Sequence, residues 1–369
     1  MENMTAEEFD LEETLRRAAG SPQSLSPREL ESLLALERKE DVERLFAVAY
    51  SVKVENCGRG VAVRGLVEAG NVCAKDCLYC GIRKSNRDVR RYSLTLDEIA
   101  AAAKEAKSLG YASLVIQSGE IESEAHTRFI EEALRMIAPL ELGVTLSLGE
   151  QTEDVYARWR EAGATRYLLR IETSNPALYA RLHPADCSWD RRMDCLRALR
   201  IADYQVGTGV MCALPGQTLA DLAADIRFYG DMDVDMIGMG PYIPHPDTPL
   251  ADSAPALSNE ERLLYGLKMI AVTRLYLHDV NIAAATALQA LADDGRERGV
   301  KAGANVLMPN VTGVEHRRDY SLYAGKPCCD ETAGLCRSCL DRRLASIGEH
   351  LLYGQRGDSR HYKRRTKND

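Results

Sequence analysis

The segment NVCAKDCLYCGIRKSN, residues 71–86, is the most informative stretch of this chain of 369 residues. It places Cys73, Cys77 and Cys80 in a C-x3-C-x2-C array, with Tyr79 directly before the last cysteine. Three thiolates can hold three irons of a 4Fe–4S cluster and leave the fourth iron without a protein ligand. A metal with an open position accepts a substrate, whereas complete coordination is typical of a structural site. The array therefore predicts a reactive 4Fe–4S cluster.

A zinc site is the alternative interpretation of the same cysteines. Structural zinc takes four ligands, and the next His or Cys after Cys80 is His126. The missing fourth ligand favours the cluster.

The composition is that of an ordinary globular protein, with 45% hydrophobic residues, 28% charged residues and a net charge of −8. The negative charge gives no general affinity for nucleic acid or for an anionic membrane. No run approaches the roughly 18 apolar residues that span a bilayer. The acidic N-terminus MENMTAEEFDLEETL fits neither a signal peptide nor a transit peptide. We expect a cytoplasmic protein with reduced cysteines and with neither a nucleic acid nor a membrane as partner.

Short β-rich segments alternate with amphipathic segments between residues 59 and 315. The predicted strands are 62–68, 113–117, 143–148, 166–172, 205–213, 236–242, 281–286 and 305–308. The predicted helices between them include 95–109, 127–137, 190–201 and 218–229. This rhythm, repeated about eight times, predicts an α/β protein that forms a complete (β/α)8 barrel of the TIM type.

Three further regions flank the predicted barrel. Residues 1–58 are predicted to form a helical extension, in which Ser26 and Pro27 begin one helix. Residues 316–353 are predicted to form a cysteine-rich segment packed on the barrel. Residues 354–369 are predicted to form a basic, disordered tail.

Polar residues fall where the predicted strands end, which is the edge at which barrel enzymes place their chemistry. Arg170 and Glu172 alternate with apolar neighbours, so both side chains should point to the same face of their strand. If that face is the barrel interior, burying two charges requires a compensating partner. The partner is either a bound ligand or, as the alternative, an internal salt bridge between the two residues.

A second cysteine group lies near the C-terminus in GKPCCDETAGLCRSC. Cys328, Cys336 and Cys339 have the spacing C-x7-C-x2-C, and Cys329 adds a fourth thiol. The group predicts either a second iron–sulfur cluster, 4Fe–4S or 2Fe–2S, or a zinc ion held by four thiolates. The softness of thiolate ligands favours the iron–sulfur site.

The order of the motifs resembles that of the HydE family, the radical S-adenosylmethionine (SAM) maturases of FeFe-hydrogenase. The likeness covers about residues 33–344. It depends on CAKDCLYCGIR at Cys73, QSGE at Gln117, YLLRIETSNP at Tyr167, LPGQT at Leu214, GPYIPHPDTPL at Gly240, AGANVLMPN at Ala302 and the late cysteine group.

The resemblance implies a cluster held by Cys73, Cys77 and Cys80, with SAM at its open iron. It implies that SAM is bound near Tyr79, Gln117, Ser118, Thr145, Ser147, Arg170, Glu172, Arg192 and Leu214. Arg191 is an alternative to Arg192. Thr286 and Tyr320 fall among positions of the substrate cavity, and Ala285 stands where the family often has a threonine.

The resemblance also implies a function in assembling the H-cluster. Reductive cleavage of SAM would give a 5′-deoxyadenosyl radical, which acts on an organometallic iron–cysteine complex that carries CO and cyanide. The related maturase HydG would supply this complex, and the scaffold HydF would receive the product. A ferredoxin or flavodoxin would donate the electron.

Two other functions remain open from the sequence. One is a methylornithine synthase or another radical SAM mutase similar to biotin synthase. The other is a non-catalytic carrier of iron–sulfur clusters. Formation of 5′-deoxyadenosine would separate the carrier from the enzymes.

Overall fold

A curved parallel sheet forms the centre of the protein, whose structure is a computed structural model that describes residues 9–366. The strands are β1 (Gly60–Val63), β2 (Gly65–Gly70), β3 (Ser113–Ser118), β4 (Gly143–Ser147), β5 (Ala164–Leu168), β6 (Gln205–Thr208), β7 (Met211–Cys212), β8 (Met236–Ile237), β9 (Gly240–Pro241), β10 (Asn281–Ile282), β11 (Val306–Leu307) and β12 (His350–Leu352).

The barrel closes through two isolated bridges. Seven strands pair in the order β10-β8-β6-β5-β4-β3-β2. Ala283 pairs with Val306 of β11, and Leu66 of β2 pairs with Asn310, which lies three residues beyond β11, so the segment 306–310 joins both edges of this sheet. The prediction of a complete eight-stranded α/β barrel is therefore confirmed.

Helices surround the sheet. They are α1 (Leu11–Gly20), α2 (Pro27–Leu34), α3 (Lys39–Cys57), α4 (Leu96–Ser108), α5 (Glu124–Ile137), α6 (Glu153–Glu161), α7 (Pro176–Leu182), α8 (Trp189–Ile201), α9 (Leu219–Asp231), α10 (Asn259–Tyr276), α11 (Thr286–Leu291), α12 (Gly295–Lys301), α13 (Val314–Arg317), α14 (Ala333–Ser346) and α15 (Arg360–Arg365). Capping boxes begin α2, α4, α9 and α10, because a Ser or Thr side chain and an acidic residue three positions later satisfy the free N–H groups. Among residues 9–366, none of the helices combines the length and hydrophobicity that a membrane crossing needs.

The strands separate an apolar shell from a polar interior. Ile116 and Leu146 are fully buried in the core between the sheet and the helices. Gln117 and Ser147, the next residues in the same strands, line the interior. Side chains alternate between the faces of a strand, so this pattern delivers polar groups to the centre of the barrel.

Several strands are shorter than predicted. β5 ends at Leu168, so Arg170 and Glu172 lie just beyond it. Glu172 has φ +65°, a left-handed conformation that interrupts an extended strand. β10 ends at Ile282, and Thr286 is the first residue of α11.

The prediction of a disordered tail is wrong for residues 354–366. Gly357 O accepts hydrogen bonds from Arg64 and Asn281, at 3.2 and 2.9 Å. Asp358 pairs with the buried Arg166. Buried guanidinium groups need such partners, and the tail supplies them. The expectations for residues 1–8 and 367–369 lie outside the described residues.

Candidate active site

The loop with the three early cysteines follows β2 and has no regular secondary structure. Ala74 N donates to Glu120 O at 2.8 Å, and Leu78 N donates to Leu182 O at 2.9 Å. The Arg91 guanidinium donates to carbonyl oxygens of the loop itself, those of Asn71, Ile82, Arg83 and Asn86. These bonds satisfy backbone groups that water cannot reach, and they fix the position of the loop.

Two glycines allow neighbouring backbone to approach this loop. A Cβ on Gly119 would lie 2.2 Å from Val72 O, and a Cβ on Gly81 would lie 2.2 Å from Ser321 O. Distances this short exclude any side chain, so only glycine fits at these positions. Gly119 belongs to the QSGE segment, which begins with the last two residues of β3 and therefore supports the cysteine loop directly.

The three thiols are partly buried. Burial raises the pKa of Cys73 and Cys77, and it raises the pKa of Cys80 to about 12. Binding of iron therefore displaces protons from these thiols.

The spacing of the sulfurs separates the two interpretations of the array. Within residues 9–366, the three thiols do not all lie within 4.8 Å of one another. The ligands of one tetrahedral zinc ion lie about 3.8 Å apart. The wider spacing suits thiolates that bind different irons of one cluster, and it disfavours the zinc site.

The loop opens on a cavity of about 350 Å³ inside the barrel. The wall brings together most of the predicted residues, namely Cys73, Cys77, Tyr79, Cys80, Gln117, Ser118, Ser147, Arg170, Glu172, Arg192, Thr286 and Tyr320. Residues that are far apart in the sequence thus share one cavity at the carboxyl ends of the strands.

Arg170 and Glu172 form the internal salt bridge and also face the cavity. Arg170 Nη2 lies 2.9 Å from Glu172 Oε2, and it donates to Val210 O at 3.0 Å. Burial raises the pKa of Glu172, although Arg170 and Arg192 oppose the rise. The left-handed φ of Glu172 costs about 1 to 3 kcal/mol in a non-glycine residue. Strain of this kind is typical of functional sites.

Three buried polar atoms in this wall form no hydrogen bond among the described residues. Arg170 Nε has no partner there, and Glu120 Oε1 and Glu172 Oε2 have only their ion pairs with Lys75 and Arg170. Buried polar groups are normally hydrogen-bonded, so these atoms indicate a polar ligand. Carboxylate oxygens suit an ammonium group or a ribose hydroxyl, and a guanidinium suits a carboxylate. SAM carries all of these groups, and the residues therefore fit it.

Arg192 on α8 is the arginine that enters the site. It is buried, and its Nε donates to Glu150 Oε1 at 2.6 Å. Arg191 is half-exposed and lies 3.6 Å from Glu122. Consecutive residues of an α-helix point about 100° apart, so only one of the two can face the barrel. The structure selects Arg192.

Tyr79 is positioned by a histidine that the sequence did not indicate. Burial lowers the pKa of His183 to about 4, so the imidazole is neutral. Its Nδ1 donates to Tyr179 O at 2.9 Å. Nε2 is therefore the acceptor, and the Tyr79 hydroxyl donates to it at 3.3 Å. This bond orients the Tyr79 ring beside the cysteines.

A charged network beside the cysteine loop was also missed. Lys75 lies 3.1 Å from Glu120 and 3.7 Å from Glu150. Burial acts to lower the pKa of Lys75, but the two carboxylates raise it overall. Because Glu150 also binds Arg192, the network links the loop to α8. The signal available in the sequence was the position of Glu120 and Glu150 just after β3 and β4.

The cysteine-rich segment supplies part of the cavity wall. Tyr320 Oη accepts a hydrogen bond from Gln117 Nε2 at 3.0 Å. Lys326 Nζ donates to both carboxylate oxygens of Glu68, at 2.5 and 2.7 Å. Asn310 Nδ2 donates to Glu68 Oε2 at 2.8 Å. These bonds attach the segment to the inner face of the barrel.

Comparison with known proteins identifies the family. Residues 67–229 match the radical SAM superfamily. The FeFe hydrogenase maturase subunit HydE of Thermotoga maritima is 41% identical over 321 residues, which cover 86% of this chain and 90% of that protein. The chain belongs to the HydE family. Its residues match a 3-methylornithine synthase of Methanosarcina barkeri less closely, at 28% identity over 83% of this chain and 85% of that protein.

The fold of this HydE-family chain is shared with a relative of known structure. The crystal structure of methylornithine synthase (PylB) matches with a TM-score of 0.80 at 24% identity, and the match covers 92% of this chain and 98% of that one. This likeness shows the fold alone. Membership of the HydE family makes the protein a radical SAM enzyme that uses a 4Fe–4S cluster and SAM.

The late cysteines of this HydE-family chain do not all lie at the same place in the structure. Cys328 and Cys336 both line the cavity. Cys329 Sγ instead donates to Lys326 O at 3.3 Å. Cys328, rather than Cys329, therefore shares the cavity wall with Cys336. Within residues 9–366, no three of the late thiols share a 4.8 Å space, which disfavours the zinc alternative.

Two predicted SAM residues lie outside the main cavity. Thr145 lines a separate small pocket, and its buried Oγ1 has no partner among the described residues. Leu214 packs with Leu178 and Tyr242 in an apolar cluster behind Tyr79. Contact of these two residues with SAM stays a prediction.

Proposed function

We propose that this enzyme acts in assembling the H-cluster of FeFe-hydrogenase. The observation that carries the proposal is the 41% identity to a HydE maturase over 90% of that protein's length. The cavity beside the cysteine loop gives the chemistry a place inside the barrel where a reactive radical is shielded from bulk water.

Cys73, Cys77 and Cys80 are the proposed cluster ligands. When bound, the cluster supplies the electron that cleaves SAM into methionine and a 5′-deoxyadenosyl radical. The fixed loop conformation and the spacing of the thiols support this assignment.

The chain's own residues orient SAM and exclude water. Glu172 suits the SAM ammonium or ribose, because its buried carboxylate faces the cavity and its Oε2 has only the ion pair with Arg170 there. Arg170 and Arg192 suit the SAM carboxylate. Tyr79, oriented by His183, covers the cysteines on the side of Leu214.

The proposed substrate is an organometallic iron–cysteine complex that carries CO and cyanide. Basic residues in the cavity wall, including Arg296 and Lys326, suit an anionic complex. Thr286 and Tyr320 add hydroxyl groups. HydG is the proposed source of the complex, HydF the proposed recipient, and a cytoplasmic ferredoxin or flavodoxin the proposed electron donor.

We also assign a second iron–sulfur cluster to Cys328, Cys336 and Cys339. The position of Cys328 and Cys336 in the same cavity wall supports this assignment. The number of irons in that cluster decides between the 2Fe–2S and 4Fe–4S forms, and chemical iron analysis of the Cys77→Ala variant measures it.

An in vitro maturation assay tests the function. Apo-hydrogenase is incubated with HydG, HydF, SAM and a reductant, with this protein supplied, omitted or changed at Cys77→Ala. Hydrogenase activity should appear only with the unchanged protein. Equal activity in all three reactions refutes the maturase. Formation of 3-methylornithine instead would assign the protein to the methylornithine synthases.

A further inference from the structure

Asp225 is a buried carboxyl group that the proposed chemistry does not use. It lies in α9 and is completely buried. Its Oδ1 accepts a hydrogen bond from Ser174 N at 2.6 Å, and its Oδ2 has no partner among residues 9–366. No lysine or arginine of these residues pairs with it. Ionising such a group is unfavourable, and proteins rarely bury an aspartate without a counter-charge.

The hydrogen bond from Ser174 holds the turn that carries Glu172. Ser174 is two residues beyond Glu172, whose φ of +65° is left-handed. On the barrel side, Glu172 N donates to Gly209 O at 3.0 Å, and Met211 N donates to Glu172 O at 3.1 Å. Asp225 holds the same turn from the helix side. A strained residue keeps its conformation only where its surroundings fix it from several directions, and Asp225 supplies one of them.

A second aspartate of α9 holds the same turn and differs in its ionisation. Asp221 Oδ1 accepts a hydrogen bond from Asn175 Nδ2 at 2.7 Å, and Asp221 Oδ2 accepts two from Thr218 at 2.8 Å. Burial acts to raise the pKa of Asp221, but these hydrogen bonds lower it overall, so the group is ionised at neutral pH. Burial instead raises the pKa of Asp225 to about 7, although the hydrogen bond from Ser174 opposes the rise. Of the two aspartates, only Asp225 changes its charge near neutral pH.

The titratable groups around Asp225 connect it to the predicted SAM residues. Burial raises the pKa of Cys212 to about 12, and Arg170 and Asp225 act on it with opposite signs. Burial also raises the pKa of Tyr229, one turn further along α9, and the charges of Asp225 and Glu172 add to the rise. Arg170 and Glu172 line the cavity, whereas Asp225 does not. Asp225 therefore acts through the turn and not by contact with a ligand.

We propose that Asp225 is a positioning residue for Glu172 and that its ionised form holds the turn in the conformation that binds SAM. The inference rests on the proposed contact between Glu172 and SAM. An ionised carboxylate accepts a stronger hydrogen bond from Ser174 N than a protonated carboxyl group does. Its negative charge also favours SAM, because the ammonium and sulfonium charges outweigh the single carboxylate. SAM should therefore bind more tightly above pH 7 than below it.

Equilibrium dialysis of SAM against the anaerobic enzyme with its cluster tests the inference at pH 6 and pH 8, one unit below and above the pKa of Asp225. Asp225→Asn keeps an acceptor for Ser174 N and cannot ionise. Glu172 and the SAM amino group also titrate, but both are present with this variant, so the wild-type affinity divided by the variant affinity isolates Asp225. This ratio should be close to one at pH 6 and about five at pH 8, which is the difference between a neutral and a charged hydrogen bond.

Two controls separate positioning from damage to the fold. Asp221→Asn changes the same turn from the same helix, and it should keep the wild-type dependence on pH because Asp221 does not titrate in this range. Asp225→Asn should keep the iron content and the melting temperature of the wild type at pH 6, since an amide replaces a protonated carboxyl group of the same shape.

Infrared difference spectroscopy reports on Asp225 without any substitution. In wild-type enzyme with isotopically labelled aspartate, adding SAM at pH 7 should remove a carbonyl band of a protonated aspartate. The label distinguishes this band from that of Glu172. The position of Asp225 predicts the loss because the conformation that binds SAM favours its ionised form.

An affinity ratio that stays constant between pH 6 and pH 8 overturns the inference, and so does an aspartate band that ignores SAM. Loss of the pH dependence in Asp221→Asn also overturns it, because any change to the turn would then have the same effect. Glu172→Gln separates the inference from the site: wild-type affinity for SAM refutes the proposed contact and the inference with it, whereas weak binding together with a constant ratio refutes only the positioning role. Dialysis requires no hydrogenase, so a failure of maturation leaves the inference standing.

Discussion

Replacing Lys326 by methionine should destabilise the protein by about 3 to 5 kcal/mol, because it leaves Glu68 charged and alone inside the barrel. Glu68 is 2% exposed, and Lys326 contacts both of its carboxylate oxygens, at 2.5 and 2.7 Å. Lys326 also donates to Tyr320 O at 2.9 Å, so the change loosens the cysteine-rich segment as well.

Differential scanning calorimetry of the anaerobic apoprotein measures this loss. A chain of 369 residues unfolds with an entropy of about 0.8 kcal/mol/K, so the melting temperature should fall by about 4 to 6 °C. Arg318→Met is the matched control. Arg318 lies in the same segment and pairs with Asp330, but both side chains are more than 70% exposed, and such a pair contributes less than about 1 kcal/mol.

A second variant separates the charge from the packing. Glu68→Gln combined with Lys326→Met removes both charges, so it should recover most of the stability that Lys326→Met loses. The deficit of the single variant should also shrink at acidic pH. Burial already raises the pKa of Glu68, and protonation relieves the unpaired charge. Equal, small shifts for Lys326→Met and Arg318→Met would refute the reasoning.

Three further changes test other parts of the structure. Gly119→Ala puts a Cβ 2.2 Å from a carbonyl oxygen of the cysteine loop, so it should reduce the iron content of the protein severalfold. Gly20→Ala is the control, because nothing surrounds that position, and equal iron contents in the two variants would contradict the prediction. Arg192→Gln should weaken SAM binding about tenfold or more, and Arg191→Gln should change it by no more than about twofold. Equilibrium dialysis measures both affinities, and a larger loss for Arg191→Gln than for Arg192→Gln would contradict the site. The two aspartates that bind His361 raise its pKa from 6.5 to about 9. Its stabilisation is therefore complete below pH 6.5 and disappears as the pH rises through 9. Between pH 6.5 and pH 9 the free energy of unfolding should fall by about 1 to 2 kcal/mol, a value reduced for screening by solvent. A His361→Gln variant that loses as much stability over the same pH range would exclude His361 as the cause.

The fold and the centre of the site could be predicted from local patterns. Cysteine spacing and strand periodicity act over short stretches, so Cys73, Cys77, Cys80 and the barrel strands were accessible from the sequence. The choice between Arg191 and Arg192 was not, because it depends on how α8 rotates against the sheet.

Long-range pairing explains what the sequence concealed. The basic composition of residues 354–366 resembles that of a solvated tail, but Arg64 and Arg166 inside the barrel require its carbonyl and carboxylate groups. His183 was hidden for the same reason, since its contact with Tyr79 joins residues 104 positions apart.

Electron paramagnetic resonance of the reduced cluster, with and without SAM, tests the central claim most directly. The protein should carry Ser in place of Cys328, Cys336 and Cys339, so that only the early array binds iron. Adding SAM should change the spectrum, because the iron without a cysteine ligand then gains one from SAM. A spectrum that does not respond to SAM, or a signal that survives Cys77→Ala unchanged, would contradict the open iron site.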